Sequence, residues 1–293
     1  MCGRHLRGPL GARVALMLLW ECIRGDSPLV VSVAHAGQHI PDAIGARMSA
    51  VATEVPDTDW HVDALYRFVP STNATLIVAT HSRYVVDLNR DPSGAALYPG
   101  ADNTELCPTR TFGNEAIYSP GEEPDRKEVD ARRATFFDPY HALLAEQIAR
   151  VRTRNGYAIL LDGHSIAAEV PRFFSGRLPD LNVGTVDGMS CAAEMQQLAQ
   201  RLVASANRFT HVVNGRFKGG YITRRFGAPR DNVHALQLEI AQACYMDERN
   251  PAQLDAVRAA PLVDVLERLV IALCEWRPHG VNPRAATPPR RPA

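Results

Sequence analysis

Three histidines and one glutamate in this 293-residue chain stand where hydrolytic chemistry could be done. His35 follows the apolar run 28–34, His164 follows the run 157–161 by way of Asp162-Gly163, and His61 lies within Asp57-Thr-Asp-Trp-His-Val-Asp63. Neutral imidazoles can form the three protein ligands of a catalytic zinc that keeps a fourth position open. Such an ion lowers the pKa of water to about 7 and polarises an amide carbonyl. His35, His61 and His164 are therefore the candidate ligands of a divalent metal, with zinc the expected ion. Asp59 or Asp63 is the alternative ligand in the middle segment. Glu239 ends the apolar pattern that starts at His234, between Leu238 and Ile240. A carboxyl in such surroundings has a raised pKa, which suits a base that takes a proton from water and passes it to a leaving nitrogen. Taken singly, each histidine also reads as a surface or hydrogen-bonded core residue, and Glu239 as a strand-face acid paired with an arginine.

The densest polar motif is Ser82-Arg83-Tyr-Val-Val-Asp87-Leu-Asn89-Arg90. An arginine fork holds a carboxylate through two parallel hydrogen bonds, and an adjacent asparagine amide adds a donor. Arg83, Asn89 and Arg90 are thus candidates for substrate binding, with Asp87 orienting them or the metal shell. A second cationic group, Lys218-Gly-Gly-Tyr-Ile-Thr-Arg224-Arg225, adds Arg224 and Arg225. Two such groups suit a substrate with two carboxylates. The alternative is a pair of solvated arginine clusters.

These residues need elements to position them. The runs 28–34, 74–79, 157–161 and 234–238 read as strands with reactive groups at their C-terminal ends. Helical spacing covers 59–69, 138–152, 191–206 and 261–276, with Pro139 and Pro261 near helix starts. Strands alternating with helices argue for a layered α/β domain, in which ligands bind at the carboxyl ends of the strands. Residues 90–127 are rich in Gly, Pro, Asn and Asp and read as long functional loops.

Composition sets the remaining bounds. Lys plus Arg equals Asp plus Glu at 32 each, so no global field favours nucleic acid or membrane. The six cysteines are scattered without a CxxC pair, which argues against a disulfide framework and for a reducing, cytoplasmic setting. The apolar run 14–20 superficially resembles a signal peptide, but Glu21, Cys22 and Arg24 replace a small-residue cleavage site. No run reaches the ~18–20 apolar residues needed to span a bilayer. We expect an N-terminal extension outside the core at 1–24, a single catalytic domain at 25–277 and a disordered tail at 278–293.

The chain resembles the N-formylglutamate amidohydrolase family. The matching segments are 27–37, 57–63, 82–92, Asp162-Gly-His-Ser-Ile166, Gly176 to Thr185, Gly219-Gly-Tyr-Ile-Thr223 and His234 to Gln242. They run in order over roughly residues 25–250. The resemblance implies hydrolysis of N-formyl-L-glutamate to formate and L-glutamate, a step of histidine degradation. It also implies a three-layer, zinc-carboxypeptidase-like (phosphorylase/hydrolase-like) fold, a mixed β-sheet between helices. In that wider group a glutamate base on a late strand and an Asn-Arg pair for the substrate carboxylate match Glu239 and Asn89-Arg90. His61 is the weakest match, since more distant relatives place an aspartate there. The family usually has proline at Ala34 and alanine at Gly163, and neither departure removes a functional group. A sibling enzyme acting on another N-acyl or N-formimidoyl acidic amino acid is the alternative. A non-catalytic binding protein would be favoured by loss of a ligand or of Glu239, and all are present.

Overall fold

The computed structural model describes residues 18–97, 100 and 102–280. Most of the expected tail, residues 281–293, and the first 17 residues lie outside them. Leu29–Val33 is apolar at nearly every position, as a strand covered on both faces must be. It forms β2 in a seven-stranded sheet whose other strands are β1 (Trp20–Ile23), β3 (Thr75–Ala79), β4 (Ala158–Ile166), β5 (Leu181–Gly184), β6 (His211–Val213) and β7 (Val233–Ala241). The order is β1-β3-β2-β4-β7-β5-β6. Strands β3, β2, β4 and β7 run parallel. β1 lies antiparallel on β3, β5 antiparallel on β7, and β6 parallel to β5, so the sheet is mixed.

The helices are α1 (Asp42–Gly45), α2 (Ala50–Thr53), α3 (Val62–Leu65), α4 (Arg126–Arg132), α5 (Asp138–Asn155), α6 (Ala193–Ser205), α7 (Tyr221–Phe226) and α8 (Ala256–Glu275). Side chains alternate between the faces of a strand, and two cores result. Leu29, Val31, Val33, Ile159, Leu161, Leu236 and Leu238 pack into the layer that holds α3, α6 and α8. Val30, Ala158, Leu160 and Ala235 pack under α5 and α7. The result is a three-layer α/β fold.

Four elements depart from the pattern reading. Trp20–Ile23 pairs with β3 as an edge strand, and Trp20 and Cys22 pack on the α5 core, so the core begins before residue 25. The helix expected over 59–69 shrinks to α3 and a separate 3-10 turn at Val69–Thr72. His61 stands at φ 62, a left-handed conformation that cannot continue a helix backwards to Asp59. α8 starts at Ala256 because Asp255 caps it, accepting from Arg258 N at 3.0 Å, which leaves Pro261 inside the helix. His164 lies within β4, which runs on to Ile166 and does not stop at residue 161.

The chain leaves β2 for β3 on one side and reaches β4 on the other. That switch point is where open α/β sheets bind ligands.

Candidate active site

Strand alternation builds the site. Ala158 and Leu160 face α5 and α7, and two-residue steps along β4 continue that face with Asp162 and His164. On β7 the same face runs Ala235, Gln237, Glu239. Asp162 is the register partner of Gln237, and His164 that of Glu239. An apolar face thus turns polar at the carboxyl edge of the sheet.

Two histidines and Asp59 meet there. His35 follows β2, and its Nδ1 lies 3.8 Å from Asp59 Oδ2. His164 Nδ1 is 2.9 Å from the same oxygen. The far nitrogens are held by other carboxylates: His35 Nε2 by Asp87 Oδ1 at 2.8 Å, and His164 Nε2 by Asp162 Oδ2 at 3.1 Å. One ligand atom from each of His35, Asp59 and His164 lies within 4.8 Å of the others, and all three residues are buried. His35 Nδ1 is buried with no hydrogen-bond partner. An orphaned ring nitrogen converging with a carboxylate and a second imidazole, backed by outer carboxylates, fits a divalent metal.

The electrostatics agree. Burial lowers the His35 pKa, and Arg83 pushes it the same way. His164 is raised: burial opposes this, but Asp162 and Asp59 outweigh it. Asp59 is lowered because Arg83, with His164 and His35, outweighs its burial.

The structure does not bring His61 to this group. Its backbone turns left-handed two residues after Asp59, and its Nε2 meets the Pro251 carbonyl at 2.8 Å. Of the alternatives weighed for that segment, Asp59 occupies the cluster, and Asp63 lies on α3.

Glu239 is buried on β7, and Gln237 Nε2 donates to its Oε2 at 2.8 Å. Burial pushes its pKa up to about 8, against the lowering effect of His164. Gln237 in turn accepts from Gly220 N at 2.7 Å. Gln237 was not among the residues singled out from the sequence. Its signal is the two-residue step from Glu239 on an otherwise apolar face.

The other candidates divide. Arg83 is buried, pairs closely with Asp59, lies 4.0 Å from Asp87 Oδ2, and sits 5.0 Å over the Phe112 ring. Asn89 Nδ2 donates to Asp162 Oδ2 at 3.4 Å, and its Oδ1 accepts from Ile222 N at 2.8 Å, so it ties its segment to β4 and α7. A Cβ on Gly220 would come within 2.3 Å of Asn89 Nδ2, which is why glycine stands there. Arg90 Nε donates to Thr104 Oγ1 at 2.7 Å and lies 3.4 Å from Asp87 Oδ2. Arg83, Asn89 and Arg90 line one cleft with His35, His164 and Glu239, of about 600 Å³ including its open mouth. Arg224 and Arg225 are exposed on α7 and do not line it. Arg216, which the sequence reading passed over, does.

Fold and cluster together define an α/β protein with a buried His–Asp–His group beside a carboxylate at the carboxyl edge of a mixed sheet. The profile of the N-formylglutamate amidohydrolase family matches residues 27–246. This chain belongs to that family. It is similar to N-formylglutamate deformylase of Pseudomonas putida, 40% identical over 253 residues that cover 86% of this chain and 94% of that one. The N-formylglutamate deformylase of Pseudomonas aeruginosa is 42% identical over 253 residues, 86% of this chain and 95% of that one. The crystal structure of N-formylglutamate amidohydrolase from Ralstonia eutropha superposes with a TM-score of 0.75 at 26% identity, covering 88% of this chain and 98% of that one. The described cysteines, Cys22, Cys107, Cys191, Cys244 and Cys274, are all free thiols. No described helix is long and apolar enough to cross a membrane.

Proposed function

We propose that this protein hydrolyses the amide of N-formyl-L-glutamate to formate and L-glutamate in the cytoplasm, with a divalent metal, zinc, held by His35, Asp59 and His164. The observation that carries this reading is the convergence of both imidazole Nδ1 atoms on Asp59 Oδ2, with Glu239 in register with His164. Identity of 40–42% to two deformylases supports the substrate.

When bound, the metal supplies Lewis acidity toward the formyl carbonyl and acidifies water. The chain's own residues do the rest. Asp87 and Asp162 hold the far nitrogens of the two imidazoles and so leave Nδ1 of each ring as the atom that would hold a metal. Gln237 holds Glu239 by Oε2, which leaves Oε1 to carry the proton. A carboxyl whose pKa burial moves toward neutrality can both accept and return that proton near pH 7. Glu239 takes a proton from the attacking water and delivers it to the departing nitrogen. The water oxygen bonds to the formyl carbon, the carbon–nitrogen bond breaks, and the second proton of the water passes from the formic acid to the released amine, so that formate and the ammonium of glutamate leave. Arg90, backed by Thr104 and Asp87, receives the α-carboxylate, and Asn89 positions that segment through Asp162 and the Ile222 amide.

The test is a substrate panel on the metal-loaded protein: formyl, formimidoyl and acetyl derivatives of glutamate and aspartate. The expected result is formate and glutamate in equal amounts, with N-formylglutamate cleaved fastest. Faster cleavage of an acetyl or formimidoyl compound would replace the deformylase reading with that of a sibling hydrolase.

A further inference from the structure

A substrate with two carboxylates needs a second cation inside the cleft, and the pair on α7 lies outside it. The arginines that line the cleft are Arg83, Arg90 and Arg216. Arg83 is engaged by Asp59 and Asp87 beneath the metal group. Arg90 shares Asp87 and stands on the same segment. Arg216 comes from a different part of the chain, the turn after β6. Its Nε donates to Phe173 O at 2.8 Å, and its guanidinium carbon lies 5.4 Å from the centroid of the Phe217 ring. Phe173 and Phe217 line the cleft as well.

These two anchors orient the guanidinium plane before a ligand arrives, and a preorganised fork loses less freedom on gripping a carboxylate. The two rings flank it on the wall of the cleft, half-buried like Arg216 itself. They also offer apolar surface to the methylenes of an amino-acid side chain. We propose that Arg216 receives the side-chain carboxylate of the substrate and selects acidic over neutral N-formyl amino acids, an assignment that rests on the deformylase reading. Arg90 and Arg216 then grip the two ends of one dianion.

The test compares Arg216→Gln and Arg216→Lys with the unaltered protein, all metal-loaded, on N-formyl-L-glutamate and N-formyl-L-glutamine. Calorimetric binding of L-glutamate and L-glutamine runs in parallel. Arg216→Gln is expected to lower kcat/KM for N-formylglutamate roughly 100-fold, mainly through KM, the worth of one charge-assisted pair. N-formylglutamine turnover should stay within about threefold, and the preference for glutamate binding should disappear. Arg216→Lys, which keeps the charge without the fork, should recover part of the loss on N-formylglutamate alone. If Arg216→Gln fails to fold, the lysine variant decides: a loss confined to the acidic compound supports the assignment. Equal losses on both compounds, or an undiminished glutamate preference, would overturn it. If neither formyl compound is cleaved by the unaltered protein but Arg216→Gln abolishes its glutamate preference, the deformylase reading fails while the side-chain carboxylate contact of Arg216 is supported.

Discussion

Glu239 on β7 is the register partner of His164 on β4, two parallel neighbours at the centre of the sheet. The proposed base and a proposed ligand are therefore set against each other by backbone pairing and not by a loop. A slip of one residue in either strand would turn its functional side chain to the opposite face.

That relationship gives the first prediction. Glu239→Gln keeps the shape of the side chain but cannot accept a proton, so turnover should fall by ~10²–10⁴-fold. Metal content, measured by elemental analysis, should be unchanged. Near-normal turnover would move the base role to another residue.

The second prediction separates two neighbours. Asp59→Ala should abolish tight metal binding, because its Oδ2 is where both imidazole Nδ1 atoms converge. His61→Ala should keep one metal per chain, losing only the bond to the Pro251 carbonyl. Metal loss from the His61 variant with retention in the Asp59 variant would reverse the ligand assignment.

What the sequence made legible, and what it hid, follows from the range of each signal. His35, His164 and Glu239 were readable because each extends an apolar strand pattern into polar residues, a local feature. Asp59 and His61 could not be ranked by spacing, since the choice turns on a left-handed backbone at His61 and a carbonyl 190 residues away. Arg224 and Arg225 fit an anion-reading pattern, yet α7 presents both outward, and Arg216 takes the place in the cleft. β1, β5 and β6 have only 4, 4 and 3 residues, too short for periodicity to mark. Pairing with longer strands makes them. Asp87, expected to orient the arginines or a metal shell, touches His35, Arg83 and Arg90.

A third prediction concerns Gly163, where the family usually carries alanine. A Cβ there would come within 2.6 Å of the Tyr66 ring, which is fully buried. Gly163→Ala should cost about 1–3 kcal/mol of stability, the usual penalty for overpacking, and lower Tm by several degrees. An unchanged Tm would mean that Tyr66 moves aside freely.

A fourth prediction follows from His141 on α5. Burial lowers its pKa to about 4 from an ordinary 6.5, and its Nε2–H donates to the Leu88 carbonyl at 2.8 Å. Above pH 6.5 the ring is neutral folded and unfolded, so it adds no pH dependence there. As pH falls from 6.5 toward 4, the unfolded chain binds the proton first, and stability should drop by on the order of 3 kcal/mol from this group. Denaturant unfolding of His141→Gln at several pH values should show a shallower fall over that window. Parallel curves for the two proteins would remove His141 as the cause.

The most direct test of the central claim is formate release from N-formyl-L-glutamate by protein stripped of metal and then titrated with zinc. The stripped protein should show no turnover, and activity should recover linearly with added zinc and saturate at one equivalent per chain. Full activity in protein verified to be metal-free would contradict that claim.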